Sequence, residues 1–173
     1  MPFGSPRAPS PAGLVHELQL RDTPAEAGSY RHGDSTSRIE DVVICNHRGE
    51  TVTSLVSGER ATVRLRARFH SLSAEPMAGM LIRNRLGVDV YGTNTRVEKV
   101  ALGSFAAGDL LELTFTFDCL LSRGEYTLTV ATQHADGASQ DWIDDALSFA
   151  VIDPRDTAGM IQLNTEIQWR RNP

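Results

Sequence analysis

No apolar run in this chain approaches the roughly 18 residues of a membrane-spanning helix, and residues 1–13 lack the continuous apolar stretch of a secretory signal. A soluble, cytoplasmic protein is therefore expected. Basic charge is also in deficit: 17 Lys and Arg against 22 Asp and Glu leave a formal charge of -5 and a pI near 5.5. A general nucleic-acid binder would carry the opposite excess to neutralise phosphates, so nucleic acid is not an expected partner. Cysteine is scarce. Cys45 and Cys119 stand far apart, in neither a C-x-x-C pair nor a Cys/His metal pattern, and two free buried thiols are expected rather than a disulfide. No segment sustains a helical period, and no nucleophile elbow or oxyanion-hole glycine run accompanies Ser139, which has His134 and Asp136 nearby. Asp144 and Asp145 are adjacent, so on a strand they would point to opposite faces and could not flank one bond. These absences exclude a membrane span and give no support to an enzyme, a metal site or a cofactor.

What remains is 173 residues with 40% hydrophobic content, enough for one core and short for two ordinary domains. Residues 1–29, rich in Pro, Ser and Gly, read as a linker or leader too poor in apolar area to offset its ordering entropy. Within them, residues 14–20 alternate loosely and could supply an edge strand. The domain proper is expected over residues 30–152, with a linker and a terminal strand over residues 153–173.

Strand signals follow one another through the middle. Residues 39–45 are rich in β-branched side chains; Val63, Leu65, Ala67 and Phe69 alternate with Arg64, Arg66 and Arg68. Residues 77–86 and 88–91 form either a pair joined at Gly87 or one kinked strand. Leu111, Leu113, Phe115 and Phe117 alternate with polar residues, as do Tyr126, Leu128 and Val130, and residues 146–152 close the set. Seven or so short strands without helices predict an all-β, immunoglobulin-like antiparallel β-sandwich. The antibody type is excluded, since Trp142 follows both cysteines instead of lying between them.

Binding chemistry is concentrated in three places. Residues 86–96, L-G-V-D-V-Y-G-T-N-T-R, read as a short strand bounded by turns, with Tyr91, Thr93 and Asn94 offering a ring, a hydroxyl and an amide. This suits a sugar, although an isolated Y-G-T-N is more often a plain β-turn. Trp142, in a polar loop with Asp141, Asp144 and Asp145, is either an aromatic plate for a sugar ring or a lid over the end of the sandwich. Gln133 and His134 end a strand before the turn at residues 135–137 and can meet a hydroxyl or lie solvated. Arg64, Arg66 and Arg68 on one strand, with Arg83 and Arg85 on another, would form a basic face if the strands are neighbours. Such a face suits an anionic glycan cap, or is simply the wet side of the sheet.

Taken in order, Y-R-H-G-D at residues 30–34, R-I-E-D-V at 38–42, S-G-E at 57–59, V-Y-G-T-N-T at 90–95, G-E-Y-T-L at 124–128, H-A-D-G at 134–137 and the Asp141, Trp142 pair resemble the C-terminal carbohydrate-binding domain of the Wzt-type ATPase subunits of O-antigen ABC exporters. The resemblance implies a non-catalytic module that recognises the modified non-reducing terminus of an O-antigen polysaccharide in the cytoplasm. It would act at the inner membrane beside the exporter's ATPase and membrane subunits. The expected glycan site is Arg83, Tyr91, Thr93, Asn94, Gln133, His134, Asp141 and Trp142. No G-x-x-x-x-G-K-[ST] phosphate loop is present, so this chain is not itself the ATPase. A structural dimerisation domain, or an accessory module of a methyltransferase or glycosyltransferase, are the alternatives.

Beyond a polar linker, Ile161, Leu163, Ile167 and Trp169 lie on the apolar side of an alternating segment. An amphipathic strand must bury that side, by folding back or by crossing to a partner. The resemblance implies the second, a homodimer joined by exchange of this strand.

Overall fold

The computed structural model describes residues 29–171; the leader and the edge strand expected over residues 14–20 lie outside them. Among the described residues there are nine strands: β1 (Arg31–His32), β2 (Ser37–Cys45), β3 (Ser54–Val56), β4 (Arg60–Phe69), β5 (Met77–Asn84), β6 (Asp89–Asn94), β7 (Leu110–Asp118), β8 (Gly124–Gln133) and β9 (Ser139–Ile152). The larger sheet runs β1-β9-β8-β5-β6 with β3 also on β9, and the smaller runs β2-β4-β7. The expected all-β sandwich is what forms. Pairing is antiparallel throughout except between β3 and β9.

The period-2 pattern sets the layers. Val63, Leu65, Ala67 and Phe69 of β4 are buried against Met80 and Ile82 of β5, Leu128 and Val130 of β8, and Phe149 and Val151 of β9. Each fully covered aliphatic side chain contributes about 1.5–3 kcal/mol before ordering entropy is subtracted. Cys45 and Cys119 are buried and unpaired in or beside this core.

Three sequence readings change, and the junction at Gly87 takes the first of its two expected forms. Residues 141–145 are not a loop: β9 runs through them and absorbs the acidic pair as a bulge opposite Thr129, where Asp145 takes a φ of 50° and its N–H donates to Thr129 Oγ1. Gly92, Thr93 and Asn94 are not a turn either, because they pair with Leu81, Met80 and Gly79 inside β6, and the chain turns only over residues 95–99. The junction at Gly87 is a hairpin, closed by Gly87 N–H to Asn84 O and by Asn84 N–H to Val88 O. The five arginines do not share a face. β4 and β5 belong to different sheets, Arg66 and Arg68 are held by Glu40, and Arg85 lies in the β5–β6 turn.

The C-terminal segment makes no ladder among the described residues. Ile161 bridges Leu121 and Gln162 N–H donates to Leu120 O, after which residues 163–171 carry no assigned pairing. Ile167 is 87% and Trp169 82% exposed.

Candidate functional site

Residues paired across a ladder share a face, so the register assigns each candidate side chain to one side of the larger sheet. Ile82 and Met80 point into the core, which places their partners Tyr91 and Thr93 on that inner side. Tyr91 lies where the sandwich gapes between β6 and β7, beside Leu113, Phe115 and Phe117. Thr93 donates its hydroxyl to Glu98 Oε1 at 2.5 Å. Asn94 pairs with Gly79 and faces outward, as do Gln133 through Met77, and Trp142 through Ala131. Asp141, opposite buried Thr132, turns inward.

On the outer face the ladder builds a concavity of about 210 Å³. Its floor is backbone and a methyl group: Gly79 of β5 pairs with Ala131 of β8, and Gly92 of β6 lies on the same face, opposite Leu81 and two positions from Gly79's partner Asn94. A Cβ on Gly92 would lie 2.9 Å from Leu81 Cδ1, and one on Gly79 2.9 Å from Asn94 Cβ, so glycine at both keeps the floor open. The walls are Trp142, Leu81, Val97, Asn94 and Gln133. Asn94 accepts the Val97 N–H on Oδ1, leaving Nδ2 as a donor; Gln133 donates Nε2 to Gly137 O, leaving Oε1 as an acceptor. A donor and an acceptor across an apolar floor suit a ring bearing hydroxyls.

Trp142 is held on both sides. Its indole stacks on His32 of β1, with centroids 5.8 Å apart and planes at 17°. Its Nε1 donates to Asp144 Oδ1 at 3.0 Å. The same Oδ1 accepts Arg83 Nη1 at 3.0 Å and Thr129 Oγ1 at 3.4 Å, while Arg83 Nε donates to Asp89 Oδ1 at 2.8 Å. Burial works to raise the Asp144 pKa, but the Trp142, Arg83 and Thr129 bonds outweigh it and keep the carboxyl below its usual range. Beyond Arg83 the face continues into a shallower concavity of about 850 Å³ over Thr127, Glu125 and Ser148.

The structure thus brings Arg83, Asn94, Gln133 and Trp142 onto one face and puts the other four elsewhere. Asp141 receives Arg31 Nε at 2.8 Å, Arg31 Nη2 at 2.5 Å and the Ile39 N–H at 2.6 Å, tying β1 and β2 to β9. His134 contacts Asp34 Oδ2 at 2.7 Å through Nε2, joining the β8–β9 turn to the loop after β1. Hydrogen bonds from Thr36, with a smaller contribution from His134, lower the Asp34 pKa to about 2. Gly79, Leu81, Ala131, His32 and the positioning role of Asp144 were not singled out from the sequence. The signal for Ala131 lies in the second face of β8, where Thr127, Thr129, Ala131 and Gln133 are uniformly small or hydrogen-bonding.

Fold and face together define an all-β sandwich with a ring-sized concavity on the outer face of its larger sheet. The chain belongs to the Wzt C-terminal domain family, whose model matches residues 28–163. Among solved structures it is similar to the C-terminal domain of Wzt, with a TM-score of 0.79, 22% identity, and 84% of this chain and 91% of that one covered. It is also similar to a Niemann-Pick type C2 protein from Japanese carpenter ant, at TM-score 0.50 and 12% identity, covering 72% and 97% of the two chains. At such identities the likeness concerns the fold. Comparison with curated protein sequences gave no match.

Proposed function

We propose that this chain binds, without chemically altering it, the modified non-reducing terminus of an O-antigen polysaccharide on the outer face of the larger sheet. Its family is one of carbohydrate-binding domains in O-antigen export, which would place it in the cytoplasm beside an exporter's ATPase and membrane subunits. The observation that carries the reading is Trp142, an aromatic plate fixed by His32 and Asp144 above a floor that two glycines keep flat. The terminal ring stacks on the indole, Asn94 Nδ2 and Gln133 Oε1 meet its hydroxyls, and the following residues of the glycan lie over Thr127 and Ser148. The concavity is smaller than the roughly 300–1,000 Å³ of a drug-sized site, which fits one ring rather than several.

Tryptophan fluorescence tests this directly. In a Trp169→Phe background only Trp142 reports, and titration with O-polysaccharide from the same source should give a saturable change. That change should vanish with chains that lack the terminal modification. Equal responses to both would remove terminus recognition, and no response to either would remove the glycan reading.

Dimerisation accompanies this reading. Among the described residues β7 ends the smaller sheet with no strand beside it, and its Leu113, Phe115 and Phe117 are only half-buried. The tail carries a matching apolar side in Leu163, Ile167 and Trp169. Asn164, at φ 51°, breaks the run that would carry the tail along its own β7 from the Ile161–Leu121 bridge. The tail therefore pairs with β7 of a second copy, reciprocally and with two-fold symmetry.

A further inference from the structure

Among the described residues, none of the side chains lining the concavity beside Trp142 carries a charge. Arg83, which shares Asp144 with the indole, is engaged by Asp89 at 2.8 Å and by Asp144 at 3.0 Å, and Arg96, next to Val97, donates to the Ala135 carbonyl. Along the larger concavity Arg83 and Arg85 are outnumbered by Asp89, Glu125 and Asp145. Arg64, Arg66 and Arg68, which would suit an anion, stand on the smaller sheet and face away from this site.

From this charge distribution, and resting on the glycan reading above, we infer that the site selects a neutral terminal sugar with an apolar edge, such as a 6-deoxy or O-methyl hexose, and rejects a phosphate or carboxylate there. A phosphate entering beside Trp142 would give up its hydration without gaining a counter-ion and would meet the Asp144 carboxylate behind the indole. A methyl group has the opposite balance. Leu81, Val97, the Ala131 methyl and the Cα atoms of Gly79 and Gly92 form an apolar patch able to cover it. Asp144 thus has two effects, orienting the indole and repelling anions from its edge.

The test is a nitrogen-15 NMR titration of the full chain with four probes: methyl α-L-rhamnopyranoside, 3-O-methyl-D-glucose, mannose 6-phosphate and glucuronic acid. A neutral probe should move the Gly79 and Gly92 amides and the Trp142 indole signal, with the anionic probes at least about tenfold weaker. Asp144→Asn should narrow that gap for mannose 6-phosphate. An anionic probe that moves the same signals at equal or lower concentration overturns charge selection while leaving the face a sugar site. An unchanged gap in Asp144→Asn overturns the electrostatic cause. If no probe moves these signals, this inference and the glycan reading fall together.

Discussion

Trp142 depends on a carboxylate two positions along its own strand, and that dependence gives the first prediction. Asp144→Asn keeps the size of the side chain but weakens its bonds to the indole and to Arg83. Glycan affinity should fall by about tenfold in calorimetry, with only a small change in melting temperature. Asp141 lies one residue from the same tryptophan and behaves differently. It is 5% exposed and serves Arg31 and the Ile39 N–H, so Asp141→Ala should cost about 2–3 kcal/mol in urea unfolding. Asp34 makes stability depend on pH. Its folded pKa of about 2 lies below the ordinary 3.8, so its contribution is complete above about pH 4 and is lost as pH falls towards 2. Melting temperatures of the wild type and Asp34→Asn, measured across that window, should converge at its acid end.

At the scale of the element, β6 and β9 decide where the site can form. Gly92→Ala puts a methyl group against Leu81 Cδ1. The leucine terminus can shift, so the stability cost should stay below about 1.5 kcal/mol while binding is lost with the flat floor. Calorimetry and a urea melt on that one variant separate the two effects. The same strands show what the sequence could and could not reveal. Alternation on β4 and β7 was readable because one face is apolar and the other polar. On β9 the pattern failed at residues 144–146, where a bulge puts extra residues opposite Thr129 and shifts the alternation. Trp142 was therefore read into a loop, although its residue type had already marked it for stacking. Tyr91, Thr93 and Asn94 were legible as a polar cluster, but strand parity divides them between two faces of β6, and parity required the register. Asp141 and His134 could not be separated from ligand-binding groups by sequence, since their partners Arg31 and Asp34 lie about a hundred residues away.

For the whole molecule, the proposed pairing of the tail with β7 of a second copy sets the next prediction. The full chain should sediment as a dimer, and a chain ending after Gln162 as a monomer prone to aggregate at the uncovered edge. A full-length monomer at tens of micromolar would instead mean that the tail folds back. Dimerisation would pair two glycan faces in one particle and raise avidity for polysaccharide held at a membrane, but the central claim concerns a single face. Its most direct test is calorimetric titration of terminally modified O-polysaccharide into the full chain and into Trp142→Ala, after sedimentation has shown both to be in the same oligomeric state. We predict saturable binding by the full chain and affinity at least about tenfold lower in the variant. Equal affinities would contradict the assignment of the glycan terminus to this face.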